Sequence, residues 1–374
     1  MTKRDQIQED ALNIALQYNR CTLAISMGVG KTYIGLQYIQ HFYNHYGSIR
    51  VLVAAPKVSI FQSWLDDAIK FKLGMSIIHS IKFTTYLSLS KQLNDYDILI
   101  LDEAHSLLDS HDEYLANFKG RILGLTGTPP RYERSEKGKL VNQYCPVKYK
   151  YITDDAVDDN ILNDYKITIH YLKLSKDNNI PVETKKMKFY TSEEKNYDYW
   201  SHRLKTAISK KEQQICSVMR MRALMGFKTK EFYARNLLNQ SKNKCLVFCN
   251  TQEQSDAICT HSYHTKNPNS QDNMILFKEG KIQKMSCVLQ LNEGVTIPDL
   301  KEGIILHAYG NERKSNQRIG RLLRLNPDDT AQIHILCYKN TVDEKWVESA
   351  LQDLDPNKIE YVNSYLNKDE YALQ

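Results

Sequence analysis

A glycine-rich loop near the N-terminus carries the residue types that bind phosphate. It follows an apolar run at residues 21–25 and precedes a segment with helical periodicity. Glycines allow a tight turn that aims several backbone N–H groups at one anion, and a helix N-terminus favours negative charge. A lysine here would neutralise the β- and γ-phosphates, and a threonine hydroxyl would ligate Mg²⁺. We therefore predict that ATP and Mg²⁺ are bound by Met27, Gly28, Val29, Gly30, Lys31 and Thr32.

The loop departs from the general pattern G-x-x-x-x-G-K-[ST], because Ile25 occupies the position of the first glycine. A glycine-rich turn with a surface lysine is the alternative interpretation. The context favours a phosphate loop, since a strand-like run precedes it and a helical pattern follows it.

A pair of carboxylates follows the apolar run at residues 98–101. There the sequence reads Asp102, Glu103, Ala104, His105. In ATP hydrolysis one carboxylate holds Mg²⁺, usually through water, and a second orients and deprotonates the water that attacks the γ-phosphate. We predict the first role for Asp102 and the second for Glu103, although acidic pairs are also common in turns. Phosphate loop and carboxylate pair in this order predict an ATPase.

These candidate residues follow runs that read as buried strands. Three runs are wholly apolar, as expected for strands covered on both faces of a parallel sheet: residues 51–55, 98–101 and 122–125. Polar residues follow each run, and ligands of an open α/β sheet bind at that carboxyl edge. Further segments that read as strands lie at residues 245–249, 285–291, 303–307 and 332–338, and the first of them is wholly apolar. The sequence therefore predicts an α/β fold with mainly parallel sheets.

Length and polarity predict two domains. A chain of 374 residues suggests two or three domains at roughly 150 residues each. Residues 131–163 are polar and read as a loop followed by a linker. We place domain 1 at residues 1–157 and domain 2 at residues 158–374. Domain 2 would contain a helical insertion at about 190–240, because that charged stretch has helical periodicity.

The order of the motifs resembles that of superfamily 2 helicases and translocases, with the lettering of the DEAH box at residues 102–105. The segments that carry the resemblance are LAISMGVGKT (23–32), VAAPKVSIFQSW (53–64), FTTYLSL (83–89), LTGTP (125–129), NEGVTIP (292–298) and QRIGRLLR (317–324). The resemblance implies two tandem RecA-like domains, each a mainly parallel sheet flanked by helices, with ATP in the interdomain cleft. It also implies ATP and Mg²⁺ as cofactors.

The segment QRIGRLLR would supply catalytic residues from domain 2. If it is helical, Gln317, Arg321 and Arg324 lie on one face. The resemblance implies that the two arginines stabilise charge on the transferring phosphoryl group, which suits a permanently charged guanidinium. A contact to DNA phosphate or a surface position is the alternative for either arginine.

Further roles concern the nucleotide and the coupling of the domains. Gly294 would let the backbone approach the nucleotide or the tracking strand. Gln8 would read adenine, with Gln6 as a competitor and a solvated glutamine as the alternative interpretation. The resemblance implies that three residues couple the domains to the nucleotide state: His105, Thr126 and Thr128.

Contacts to nucleic acid would come from both domains. The resemblance implies backbone contacts by Pro56, Lys57, Thr85, Tyr86, Asn250 and Thr251. Binding would then be largely independent of base sequence and sensitive to salt. The segment QRIGRLLR is more similar to the Q-x-x-G-R-x-x-R of UvsW-, RecG- and XPB-type DNA helicases than to the RNA helicase pattern. DNA is therefore favoured over RNA.

Composition narrows the class of protein. A net charge of +6 and a pI near 8.7 are compatible with a nucleic-acid partner. No apolar run approaches the roughly 18 residues of a membrane span, so we expect no membrane association and a cytoplasmic location. The eight cysteines contain no C-x-x-C pair, which argues against disulfides and a zinc ribbon. Cys259, His261 and His264 have a metal-like spacing but no evident fourth ligand.

Together these features predict an ATP-dependent DNA helicase or translocase that acts in replication, recombination or repair. We expect a monomer that binds single-stranded, forked or branched DNA, with replication or recombination proteins as further partners. A duplex translocase that never separates strands, an RNA helicase and an ATP-gated nucleic-acid-binding module are the alternatives. The abundance of Lys, Asn and Tyr suggests a phage or viral source, with the host cytoplasm as the location.

Overall fold

The computed structural model of the protein describes residues 1–26, 28–127, 136–183, 187–288, 297–308, 329–352 and 354–364. They form two compact units, and the chain passes from the first unit to the second between Asp164 and Tyr165. The first unit includes residues 158–164, beyond the boundary predicted at residue 157, and the Arg4 guanidinium on α1 donates to the Ile161 carbonyl in this stretch. We call the two units domain 1 and domain 2.

Domain 1 alternates strands and helices. In chain order its elements are α1 (Lys3–Gln17), β1 (Arg20–Ile25), α2 (Lys31–Tyr46), β2 (Val51–Ala55), α3 (Ser59–Lys70), α4 (Met75–His79), β3 (Ile81–Thr85), α5 (Tyr86–Leu89), β4 (Ile98–Asp102), α6 (Asp112–Asn117), β5 (Arg121–Thr126), α7 (Glu136–Tyr144), β6 (Val147–Tyr151) and α8 (Thr153–Asp158). Two short 3₁₀ helices span Ala104–Ser106 and Asp109–His111.

The strands of domain 1 form a sheet in the order β3-β2-β4-β5-β1-β6, and all neighbouring pairs are parallel. Every residue of β2 and of β4 is buried, which confirms the prediction of strands covered on both faces. Because the strands are parallel, the carboxyl ends of β2, β4, β5 and β1 lie side by side. This carboxyl edge holds the candidate site.

Domain 2 has a longer sheet and more helices before its central strand. Its elements are β7 (Asp164–Leu172), β8 (Ile180–Glu183), β9 (Lys188–Thr191), α9 (Glu193–Thr206), α10 (Lys210–Gly226), α11 (Lys228–Gln240), β10 (Cys245–Cys249), α12 (Gln252–Ile258), β11 (Ser262–Tyr263), α13 (Ser270–Lys278), β12 (Lys284–Val288), β13 (Glu302–Ile305), β14 (Thr330–Tyr338), α14 (Val342–Leu351) and β15 (Ile359–Asn363).

The main sheet of domain 2 has the order β11-β12-β10-β13-β14-β7-β15. Strands β11 to β14 are parallel neighbours in that order, and β15 is parallel to β7. The stretch for which a helical insertion was predicted, at about 190–240, holds α9, α10 and α11, which span residues 193–240. Residues just before α9 pair with β8 as the strand β9, and the Ser192 hydroxyl caps α9. Within the described ranges, no helix is long and apolar enough to cross a bilayer.

A buried ion pair connects two helices of domain 2 to its sheet. Lys230 on α11 and Asp343 on α14 have fully buried side chains, and Nζ lies 2.5 Å from Oδ2. The same Nζ donates to the Leu306 carbonyl just after β13, at 2.7 Å. Asp343 also accepts the N–H of Tyr338 at the end of β14. Each charge thus has more than one partner, as a buried ion requires.

Lys230→Met should lower the free energy of unfolding by about 3–5 kcal/mol, because Asp343 would remain buried without its counter-ion. Urea denaturation followed by fluorescence measures the change, since Trp346 packs against the core of domain 2. Lys242→Met, at an exposed lysine, is the matched control and should change stability by less than about 0.5 kcal/mol. Equal stability of Lys230→Met and the unaltered protein would contradict this role of the ion pair.

Candidate nucleotide-binding site

The glycine-rich loop connects β1 to α2. Gly28 and Gly30 have φ angles of 90° and 110°, in the left-handed region where a residue with a Cβ is strained. Gly30 is the N-cap residue of α2 and supplies no side-chain cap to the helix. The first backbone N–H groups of α2 are therefore free of a capping side chain, which suits the binding of a phosphate.

Gln8, rather than Gln6, lies against this loop. Its side-chain amide donates to the Val29 carbonyl at 2.6 Å. A Cβ at Gly30 would lie 2.5 Å from the same nitrogen, so any larger residue there would displace the Gln8 amide from its present position. Gln6 instead donates to Asp10 on the exposed side of α1. The structure thus places the amide of Gln8 at the glycine-rich loop.

Lys31 and Asp102 lie at neighbouring parts of the carboxyl edge. Lys31 begins α2, and its Nζ lies 3.4 Å from the Ile25 carbonyl at the end of β1. Asp102 ends β4 and is only 8% exposed. Burial raises the pKa of its carboxyl group, while the Trp64 hydrogen bond, the Lys31 charge and the Glu103 N–H act in the lowering direction. The positive charge of Lys31 thus favours the ionised form of the Asp102 carboxyl group and lowers its pKa, against the effect of burial.

Two buried aromatic residues hold Asp102 from the core of domain 1. The Trp64 indole N–H donates to Oδ2 of Asp102 at 2.8 Å. The Tyr86 hydroxyl donates to the main-chain carbonyl of Asp102 at 2.9 Å. The prediction that Tyr86 contacts nucleic acid is therefore wrong for its side chain, which is 5% exposed and bonded inside the domain.

Glu103 and His105 connect the end of β4 to the end of β5. Glu103 has φ 55° and ψ 55°, a left-handed conformation that costs a non-glycine residue roughly 1–2 kcal/mol. Its Oε2 lies 3.4 Å from Nδ1 of the buried His105. The same nitrogen lies 2.6 Å from the hydroxyl of Thr126, the last residue of β5. A strained acid beside a buried histidine is an arrangement typical of active sites.

Other predicted nucleic-acid contacts lie at strand ends. After β2, Pro56 is half-buried and Lys57 is exposed, and the half-buried Thr85 ends β3. These three residues share the carboxyl edge of domain 1 with the glycine-rich loop. In domain 2, Asn250 and Thr251 follow β10, and the Thr251 hydroxyl caps α12 by accepting a backbone N–H. The Thr251 hydroxyl oxygen is therefore already an acceptor within domain 2, whereas its O–H can still donate to another group.

Domain 1 thus brings its predicted residues to one sheet edge, whereas several other predictions fall on residues that the structure does not describe. Those that lie outside the described residues are Met27, Thr128, Gly294, Gln317, Arg321 and Arg324. Sequence reasoning missed the role of Trp64. The available signal was a tryptophan among the apolar positions of α3, whose N–H needs an acceptor when it is buried.

The metal-like spacing near Cys259 has a structural explanation. The Cys259 thiol donates to the Lys284 carbonyl, and His264 Nε2 lies 2.8 Å from Asp256 Oδ1. Among the residues that the structure describes, no group of three His, Cys, Asp or Glu side chains is arranged to hold a metal ion.

Two family models match the chain. The model described as "Type III restriction enzyme, res subunit" matches residues 3–131, and the model described as "Helicase conserved C-terminal domain" matches residues 228–326. Among curated proteins, the "DNA 3'-5' translocase XPB2" of Sulfurisphaera tokodaii is 24% identical over 366 residues, which cover 90% of this chain and 82% of that protein.

Solved structures show the same fold. The structure of the ATP-dependent type ISP restriction-modification enzyme LlaBIII bound to DNA matches with a TM-score of 0.61 at 15% identity. The match covers 97% of this chain and 32% of LlaBIII, so this chain corresponds to about a third of that enzyme. The Hef helicase domain of Pyrococcus furiosus has a TM-score of 0.54 at 14% identity, with 93% of this chain and 99% of that chain covered.

A further match is a fragment of a putative HsdR subunit of a type I restriction enzyme from Vibrio vulnificus YJ016. It has a TM-score of 0.61 at 18% identity and covers 95% of this chain and 68% of that chain. The two parallel sheets flanked by helices are therefore tandem RecA-like domains, as predicted. One family model matches within each domain and an XPB2 relative matches along most of the chain, so the chain is similar to superfamily 2 helicases along most of its length.

Proposed function

We propose that the chain couples hydrolysis of ATP to movement on DNA, as an ATP-dependent DNA helicase or translocase. The observation that carries the proposal is the meeting of the glycine loop, Lys31 and the buried Asp102 carboxylate at one sheet edge. An anion site at a helix N-terminus and a carboxylate at a neighbouring strand end are the two parts of an NTP-hydrolysing site.

Each residue of this edge has a role in that chemistry. The N–H groups around Gly28 and Gly30 and the ammonium of Lys31 would bind the phosphates. Thr32 and Asp102 offer the hydroxyl and carboxylate oxygens that Mg²⁺ prefers, and the ion would supply charge neutralisation at the phosphates. Glu103 would accept the proton of the attacking water.

A second part of the proposal concerns the base. A cavity of about 270 Å³ opens beside Gln8 and is lined also by Leu12, Tyr33 and Gln37. We assign the adenine ring to this cavity, with the Gln8 amide as its hydrogen-bonding group. That amide already contacts the loop through the Val29 carbonyl, so base recognition would be linked to the phosphate site.

Domain 2 would complete the reaction. Gln317, Arg321 and Arg324 would approach the γ-phosphate, where guanidinium charge stabilises the transition state. Gly294 would lie near the nucleotide or the DNA strand. His105, Thr126 and Thr128 would report the nucleotide state, and the contact of His105 with Thr126 supports this for two of them.

DNA is the nucleic acid that we propose. The XPB2 relative is named as a DNA translocase, and LlaBIII was solved bound to DNA. Pro56, Lys57 and Thr85, with Asn250 and Thr251 in domain 2, would contact the sugar–phosphate backbone. Such a motor would serve replication, recombination or repair.

ATP hydrolysis measured with single-stranded DNA, duplex DNA, a DNA fork and RNA tests this function. We expect DNA to raise the rate more than RNA, with a stimulation that falls as salt rises because phosphate contacts are screened. Rates that no nucleic acid changes would contradict the motor and would favour the ATP-gated binding module.

Two DNA substrates distinguish a helicase, which separates the strands of a duplex, from a translocase, which moves along the duplex without separating them. A translocase displaces the third strand of a DNA triplex without opening the duplex, whereas a helicase also opens a fork. The similarity to a protein named as a translocase favours third-strand release as the first activity to be seen. ATP-dependent opening of the fork would show that the protein is also a helicase. Activity on neither substrate would contradict the proposal that the protein moves along DNA.

Lys31→Ala should lower the rate of ATP turnover by at least about 100-fold, because the phosphates lose their main charged partner in a site where charge stabilisation dominates. The affinity for DNA without nucleotide should stay within about twofold, since the Lys31 ammonium lies at the glycine loop and is not among the residues proposed to contact DNA. Lys91→Ala, at an exposed lysine, is the matched control. Unaltered turnover in Lys31→Ala would contradict the assignment of the loop.

Glu103→Gln should reduce turnover by roughly 100- to 10,000-fold, the usual contribution of general acid–base catalysis. It should leave ATP binding nearly unchanged, because the amide keeps the shape of the carboxylate. Nucleotide titration and steady-state hydrolysis on the same preparation separate the two effects. A parallel loss of ATP binding would show that Glu103 acts in the structure of the loop rather than as a base.

A further inference from the structure

Trp64 lies between two parts of the nucleotide site. It is on α3, is 1% exposed, and donates its indole N–H to Oδ2 of Asp102. Its ring edge packs against Gly35 on α2, the helix that begins with Lys31. A Cβ at Gly35 would lie 2.6 Å from Cη2 of Trp64, so the ring occupies the space that a larger residue would need.

The hydrogen bond matters because Asp102 has little water around it. A buried carboxylate is costly unless its oxygens have partners. The indole N–H is one such partner, and it fixes Oδ2 on the side of α3. Rotation of the carboxylate about its Cβ–Cγ bond is thereby restricted. The buried ring of Trp64 is itself held by its packing against Gly35, so the direction of the bond is set by the core of domain 1.

We propose that Trp64 is a positioning residue, which orients the Asp102 carboxylate toward the Mg²⁺ of bound ATP and fixes its place relative to α2. The inference rests on the proposed function, since it concerns the same nucleotide site. Trp64 has no contact with substrate in this role and acts through Asp102. Groups that orient a metal ligand in this way typically contribute roughly 10- to 100-fold to metal affinity.

The test measures Mg²⁺-dependent nucleotide binding rather than activity. Calorimetric titration with ADP, at several Mg²⁺ concentrations and with EDTA, is carried out on the full chain. In Trp64→Phe, which lacks the N–H, we expect half-maximal Mg²⁺ dependence at roughly 10-fold higher Mg²⁺ or more. ADP affinity in EDTA should stay within about twofold, because Asp102 then has no metal to bind.

Two further variants separate the hydrogen bond from ring packing. Replacement of Trp64 by β-(3-benzothienyl)alanine keeps the two-ring shape and removes the N–H, so it should reproduce the shift of Trp64→Phe. Gly35→Ala keeps the N–H but displaces the ring, and it should shift Mg²⁺ dependence in the same direction. Trp346→Phe, the matched change in domain 2, should have no effect on it.

Unchanged Mg²⁺ dependence in the benzothienyl variant would overturn the inference, even if Trp64→Phe is destabilised. Absence of Mg²⁺-dependent nucleotide binding in the unaltered protein would instead remove the proposed function, and the inference with it. The two failures are distinguishable, because the first appears only in the variants.

Discussion

The burial of the Asp102 carboxylate is the constraint on which the rest of domain 1 depends. A charge at the end of a covered strand is tolerated only when fixed partners surround it. The Trp64 indole on α3 donates to Oδ2, and the charge of Lys31 at the start of α2 also favours the ionised carboxylate, so two segments distant from Asp102 in the sequence act on it. These segments are held together by the parallel order of β2, β4, β5 and β1. The order of the strands therefore determines which segments lie near the buried Asp102 carboxylate.

Two buried aromatic residues, Trp64 and Tyr86, link the proposed nucleotide site to the proposed DNA surface. Trp64 lies on the helix that follows Pro56 and Lys57, and Tyr86 follows Thr85. Both aromatic residues bond Asp102, one at the side chain and one at the main chain. A DNA contact that moved either segment would act directly on the position of Asp102. This gives a physical route by which DNA could raise the rate of hydrolysis.

The sequence predicted the elements best where a fully buried strand ends in polar residues. Strands covered on both faces are continuous apolar runs, so β2, β4, β5 and β10 were predicted together with the polar residues after them. The half-exposed edge strands β6 and β15 carry no such run and were missed. The short strands β8 and β9 pair only with each other, and no alternating pattern in the sequence predicts them.

Contacts between residues that are distant in the sequence were the least predictable part of the structure. The bond from Trp64 to Asp102 spans 38 positions, and the ion pair of Lys230 with Asp343 spans 113. Nothing in a local pattern specifies such pairs. Tyr86 shows the opposite error, since a motif suggested a surface role for a side chain that the fold buries.

The central claim is that the carboxyl edge of domain 1 binds Mg·ATP. A high-resolution structure of the protein with Mg²⁺ and a non-hydrolysable ATP analogue tests it most directly. We expect the β- and γ-phosphates at the backbone N–H groups of Gly28 to Lys31. The metal should lie within reach of Thr32 and, directly or through one water, of Asp102, whose Oδ2 remains bonded to Trp64. A nucleotide bound elsewhere, or a metal with no contact to either residue, would contradict the account.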